Sequence, residues 1–262
     1  ENPIEIKVLK TGNEYSFYAE NRSYYPYTLE LKINNIINLL PAYFERQFKV
    51  VPGKNTLTSL KIKNPDSDVS YNYSYKYTIG LIGNKVDLNF PYLIPIKDSF
   101  NFGNTNKIFF KNNFMLAKQD TIYCMRKGLI AATPDMYHNS DRISNGQSLE
   151  IIHNDGTVMV YENLNPDKVF VKPGNTIYPG EALGIINHSL DLKVNLFTTL
   201  NQNCIQNIDI YYYTGEDSTS LFSKELLNKK VTYPESIITK EMTKMELKKY
   251  KKGKLTTTRT MK

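Results

Sequence analysis

The chain has no tryptophan, only three histidines and only two cysteines in 262 residues. Each shortage excludes something. Cys124 and Cys204 lie too far apart in sequence to form a close-spaced metal or redox motif, and two cysteines cannot supply the disulfide framework of a small secreted fold. Two free, buried thiols are the expectation. His138, His153 and His188 show no spacing of the kind that lets neighbouring imidazoles share a metal ion. No apolar run reaches the length of a membrane-spanning helix, since Ile36-Ile37 and Leu39-Leu40 are followed at once by Pro41, Glu45, Arg46 and Lys49. Glycine-rich dinucleotide and phosphate loops and the serine nucleophile elbow are all missing, which removes the common nucleotide-binding and serine-hydrolase readings.

What the chain does have is 20 tyrosines and 12 phenylalanines, a composition suited to strands, where flat rings cover a pleated face and a phenol reaches its wet edge. With 40% hydrophobic residues it can bury one large core or two modest ones. The formal charge is +7, from 33 basic against 26 acidic residues, and much of the excess follows Lys224. That balance favours anionic polymers or an anionic lipid surface, but arginines are scarce in the basic tail, which makes nucleic acid the weakest partner of that class. A chain that starts at Glu1 rather than at Met is what removal of an export signal leaves, so an extracytoplasmic location is expected.

Alternation with a period of two runs through the first part. Ile4 to Val8, Tyr15 to Ala19 and Tyr27 to Ile33 read as strands, and in the last of these Leu29, Leu31 and Ile33 share one face while Thr28, Glu30 and Lys32 share the other. Phe48 to Val51, the Pro52-Gly53 turn and Leu57 to Ile62 continue the pattern. Tyr71, Tyr73, Tyr75 and Tyr77 then point one way; such a row suits sheet packing or a ligand platform for a glycan or peptide. Residues 1–88 are expected to form an immunoglobulin-like β-sandwich. Asn89 to Asn104 is a proline-punctuated crossing into a second module.

From Ile151 to Ile186, short strands are broken by Asp155-Gly156, Pro173-Gly174 and Pro179-Gly180, the rhythm of a small antiparallel β-domain. His153-Asn154-Asp155-Gly156, then Tyr161-Glu162-Asn163-Leu164, then the turn series from Val171 to Gly184 resemble the LytM-like zinc peptidases of the M23 family. Ile122 to Ile130 is similar to an upstream strand, turn and strand of that family. The resemblance covers roughly residues 89–200 and implies an all-β chain: a sandwich, a peptidase-like domain at 89–213 and a basic C-terminal extension at 214–262.

The resemblance also implies where a zinc site would stand. A His and an Asp four residues apart, with the second His of a later H-x-H strand, would hold the ion and leave one position for water; two further histidines would stabilise charge and move protons. Counting back from Gly128 puts the first two positions near Phe110 and Phe114. Asn163 takes the place of the histidine in Y-x-H-L, and Asp191 and Lys193 take the places of H-x-H. Lysine ammonium has no lone pair for a metal. No cofactor and no metal are therefore expected.

The function expected from this reading is that of a non-catalytic, peptidase-like accessory or scaffold subunit in the periplasm or at the outer-membrane surface of a bacterium. Envelope or outer-membrane proteins would be its partners, held in an old groove floored by Phe114, Asn163, Asp191 and Lys193. A peptidoglycan- or glycan-binding module is the alternative. An enzyme with a relocated site, built from His138, His153 and His188 with Asp135 or Asp141, is the third reading. In the extension, Cys204 to Tyr213 reads as a strand, Ser220 to Leu227 as a short helix or turn, and Ile238 to Lys252 as a helix marginal on its own.

Overall fold

A computed structural model describes residues 2–97, 112–114, 120–135, 143–144, 148–187, 191–201, 204–215, 218–221 and 231–255. The chain forms two compact units, Glu1–Asn84 with Thr199–Ile205, and Lys85–Thr198 with Gln206–Lys262.

The first unit contains β1 (Ile4–Thr11), β2 (Glu14–Asn21), β3 (Tyr27–Ile37), β4 (Leu39–Leu40), β5 (Phe44–Val50), β6 (Gly53–Ile62) and β7 (Ser70–Ile79). They form two antiparallel sheets, in the orders β1-β2-β6-β4 and β5-β3-β7. Alternation decides which face closes. Tyr27, Leu29, Leu31 and Ile33 of β3 are all buried, and Phe17 of β2 meets Tyr71 and Tyr73 of β7 edge-on at 5.6 and 5.8 Å between ring centroids. The tyrosine row thus faces the opposing sheet. Tyr75 and Tyr77 donate their hydroxyls to the Ile4 carbonyl at 3.4 Å and to Asn2 Oδ1 at 2.6 Å.

The second unit contains β8 (Pro91–Tyr92), β9 (Asn113–Phe114), β10 (Thr121–Tyr123), β11 (Gly128–Ala132), β12 (Ser148–Ile152), β13 (Val158–Glu162), β14 (Leu164–Val169), β15 (Thr176–Ile177) and β16 (Ala182–Ile186). After these come β17 (Leu192–Asn201), β18 (Cys204–Ile208), β19 (Tyr211–Gly215), β20 (Ser218–Leu221), α1 (Glu235–Ile238) and α2 (Lys244–Lys251). The central sheet has the order β15-β11-β12-β13-β17-β18 with β9 added against β17; smaller sheets run β10-β16-β14 and β20-β19-β8. Leu149, Ile151, Met159, Tyr161, Leu192 and Val194 put one face of the central sheet into the core. Gly128 is forced by packing: a Cβ there would lie 2.4 Å from Ile151 Cγ2 and 2.6 Å from the Ile152 carbonyl oxygen.

The all-β architecture agrees with the sequence reading, and the unit boundaries differ from it in two places. Residues 199–205 leave the second unit for the first, where Thr199 Oγ1 donates to the Ile79 carbonyl at 3.0 Å and fills the space beside Gly80. The stretch expected as an extension from 214 is part of the second unit: Ile237 is buried, and Tyr233 donates to the Ile94 carbonyl at 2.5 Å. The single helix expected over Ile238 to Lys252 is two pieces, because Thr243 starts a new one. Its hydroxyl accepts from the Glu246 amide at 3.3 Å while the Glu246 carboxylate accepts from the Thr243 amide at 2.6 Å, a reciprocal cap. Leu221 closes a strand rather than opening a helix, and residues 222–230 lie outside the described residues. Both cysteines are free; Cys124 is buried, whereas Cys204 is only half-buried.

Leu31 lies wholly inside the first unit. Leu31→Ala is expected to lower its stability by about 2–5 kcal/mol in urea unfolding; a loss under about 1 kcal/mol would mean that this face is not closed.

Candidate functional site

The outer face of the central sheet carries the positions at issue. Lys193 of β17 is directly opposite Glu162 of β13 on one side and Asn113 of β9 on the other, and Glu162 is in turn opposite Ser148 of β12. Opposed residues in antiparallel strands share a face, so Asn113, Lys193, Glu162 and Ser148 form one polar row. Two residues along, Asn195 and Glu150 belong to the same face, on either side of Val160. Asn195 Nδ2 donates to Glu162 Oε1 at 3.0 Å and Asn195 Oδ1 accepts from Asn207 Nδ2 at 3.1 Å. Glu150 is fully buried there, its carboxylate accepting from the amides of Ile143 and Ser144, each at 3.1 Å, and from the Ser144 hydroxyl at 2.6 Å.

Of the expected groove residues, the structure brings three together and separates one. Lys193 and Asp191 are exposed, and Asn163 Nδ2 donates to the Asp191 carbonyl at 2.7 Å. Asn163 has φ 70°, a left-handed conformation in which asparagine is among the better-tolerated side chains. Phe114 is the correction. It is fully buried, packed on Tyr212 with centroids 5.9 Å apart, and forms no part of a groove floor. Its neighbour Asn113, opposite Lys193, takes the outward place, because one residue along a strand changes the face. Phe110 lies outside the described residues.

These side chains do not fit a zinc ion. A buried phenyl ring and a lysine offer it no lone pair, and the Asn163 amide is turned to a backbone carbonyl. Among the described residues no group of three or more His, Cys, Asp or Glu could hold a metal. His138, His188 and Asp141 lie outside the described residues; Asp135 is exposed and His153 is buried.

Sequence reading missed a second cluster, below the Asp155-Gly156 turn. Arg126 is 2% exposed, yet every side of its guanidinium is met. Nε and one terminal nitrogen donate to the two Glu241 oxygens at 3.1 and 2.8 Å. The other terminal nitrogen donates to Tyr92 Oη and Asp155 Oδ2, both at 2.9 Å, and Phe90 lies 3.8 Å beneath the plane. Lys127 extends the cluster, donating to the Glu241 carbonyl at 3.0 Å and to Glu246 at 2.8 Å, while Tyr178 Oη donates to Glu246 at 2.8 Å. The segment carrying α2 is tied down by these contacts.

His153 lies inside this cluster. Its Nδ1–H donates to the Lys127 carbonyl at 2.8 Å, which leaves Nε2 with the lone pair and, among the described residues, without a hydrogen-bond partner. Burial and then the charge of Arg126 hold its imidazole well below the ordinary 6.5. For Glu246 burial alone would push the carboxyl up, but hydrogen bonds from Lys127, Thr243 and Tyr178 outweigh it and bring it to about 2. Burial pushes the Tyr92 phenol up to about 12.

No family model matches the chain, and no curated protein matches it. Two solved structures of Csd3 from Helicobacter pylori, in hexagonal and orthorhombic crystals, are similar along 96% of this chain and 77 and 78% of theirs, at 13 and 12% identity and TM-scores of 0.30 and 0.29. Likeness at that level decides neither family nor activity.

The cluster predicts acid sensitivity in two windows. The unfolded chain takes up a proton at His153 as pH falls below about 6.5 while the folded chain does not, so stability falls with pH there, by up to about 1.4 kcal/mol per unit. His153→Asn is expected to flatten the slope of unfolding free energy between pH 6.5 and 4.5; an unchanged slope would assign that proton elsewhere. The Glu246 contribution is present above its ordinary 4.5 and is lost as pH falls towards 2; Glu246→Gln removes that contribution and leaves the part due to Asp155, whose carboxyl burial would raise but the Arg126 charge holds low.

Proposed function

We propose that this chain is a non-catalytic, peptidase-like accessory subunit of a bacterial cell-envelope assembly, and that the outer face of its central sheet holds a protein partner. One observation carries the reading. Where the resemblance puts the last metal ligand, this sheet presents the ammonium of Lys193, which has no lone pair for a cation, between Asn113 and Glu162, in a row of donors and acceptors that a polar protein surface can meet. Exposed Asp191 and half-buried Asn195 and Asn163 extend the row. A surface of alternating charge favours a polar, complementary partner and fixes its register. The envelope setting comes from the family resemblance of the turn series between Val171 and Gly184.

The test pairs a chemical measurement with a binding one. Protein incubated with zinc and then desalted is expected to retain well under one equivalent and to release no muropeptides from sacculi. Chelator-sensitive release would end the non-catalytic reading. Gentle purification from native membranes is expected to retain a partner at fixed stoichiometry, which Lys193→Gln, removing the charge of an exposed side chain, releases with little change in the unfolding midpoint. A partner held equally by that variant would place the contact on another surface.

A further inference from the structure

β5 is one edge of its three-stranded sheet, paired on one side with β3 and, among the described residues, on the other side with nothing. Edge strands of that length invite another strand, and proteins ordinarily block them, for instance with an inward-pointing charge. β5 has such a charge. Arg46 is opposite Leu31 of β3, on the face turned to the sandwich interior, between Phe44 and Phe48, whose rings stack at 6.2 Å and 17°. Arg46 is exposed in the single chain, and an apolar strand laid beside it would cover the guanidinium without giving it a partner. A strand offering an aromatic ring opposite Arg46 would not.

We propose that the strand β5 accepts is β5 of a second copy of this chain, antiparallel about a twofold axis through Gln47. The sequence from Tyr43 to Val51 is self-complementary about that residue. Glu45 faces Lys49 of the second copy and Lys49 faces its Glu45. Arg46 faces Phe48, extending across the seam the cation–π contact that Arg46 makes within one chain, where it lies 5.7 Å from the Phe48 centroid. Phe44 faces Val50, and one residue further out Tyr43 and Val51, 59% and 51% exposed, face each other. Neighbouring registers fail. An axis through Arg46 sets two guanidinium groups opposite, and one through Phe48 puts Lys49 against Gln47 and Glu45 against Val51. Only the Gln47 axis pairs opposite charges, and it does so twice. The result is a continuous sheet β7-β3-β5 joined to its copy, with both β5 edges removed.

The test is a charge swap read by sedimentation equilibrium at low salt, where exposed pairs are least screened. The wild type is expected to associate to a dimer. Glu45→Lys and Lys49→Glu should each weaken association by about tenfold or more, since symmetry creates two like-charge pairs per substitution. The double substitution Glu45→Lys with Lys49→Glu should restore it. Independently, Gln47→Cys in a Cys204→Ser background should yield a covalent dimer on mild oxidation, because residues opposite each other lie about 4.5–5.5 Å apart at Cα, within disulfide reach. Glu45→Cys in the same background should not. A wild type that stays monomeric at every concentration, single reversals that leave association unchanged, or cross-linking at position 45 as ready as at 47 would each overturn the proposal.

Discussion

A guanidinium in a protein interior must have its donors met, because removing it from water costs several kcal/mol. Arg126 meets that demand by drawing on three separated parts of the second unit: Tyr92 with the Phe90 ring beneath, Asp155 in the turn between β12 and β13, and Glu241 near the end of the chain. None of these is close to it in sequence. The carboxylates of Asp155 and Glu241 would themselves be costly if left alone, so the partners hold one another in place. This mutual requirement explains why residues 231–255 belong to the second unit although α2 alone is too short to be a stable helix.

Around that anchor the central sheet has two faces with different demands. Its inner positions, Met159 and Tyr161 on β13 and Leu192, Val194 and Leu196 on β17, fill the core and fix the register of the strands. Of the positions on the opposite face, Val158 and Val160 on β13 are also buried, whereas on β17 Lys193 is exposed and Asn195 half-buried. Lys193 is open to solvent and Asn195 bonds to Glu162 and Asn207, so chemistry at these two positions can change without disturbing the core. Glu150 is a buried charge on that face, where Ile143 and Ser144 meet it with two amides and a hydroxyl.

Much of the fold was legible, for a specific reason. Period-two alternation in Tyr27 to Ile33 and Tyr71 to Ile79, and glycine turns such as Gly12 and Gly156, are local signals, and local signals survive in sequence. The partners of Arg126 were not legible, because Arg126 and Glu241 are separated by most of the second unit and nothing about either residue points to the other. The proximity of Lys193, Asn163 and Asp191 followed from the family resemblance, whereas the placement of Phe114 on the groove failed by one residue. Counting from Gly128 crosses a connection whose length the family resemblance does not constrain. In a strand a count that is off by one exchanges inside for outside.

That single step bears on what the sheet can become. Phe114 is inward, so an aspartate at 114 would place an unpaired carboxylate against Tyr212 and Leu192, at a cost of several kcal/mol, and would still point away from Lys193. Asn113 is outward and opposite Lys193, so a carboxylate at 113 would join Glu162 in flanking Lys193 from both sides of β17. Even then Lys193 would be its nearest cross-strand neighbour on β17, where an ammonium competes with a metal for any carboxylate introduced. The side chains on this face answer one another as donors and acceptors. A metal would have to break those contacts before it gained its own.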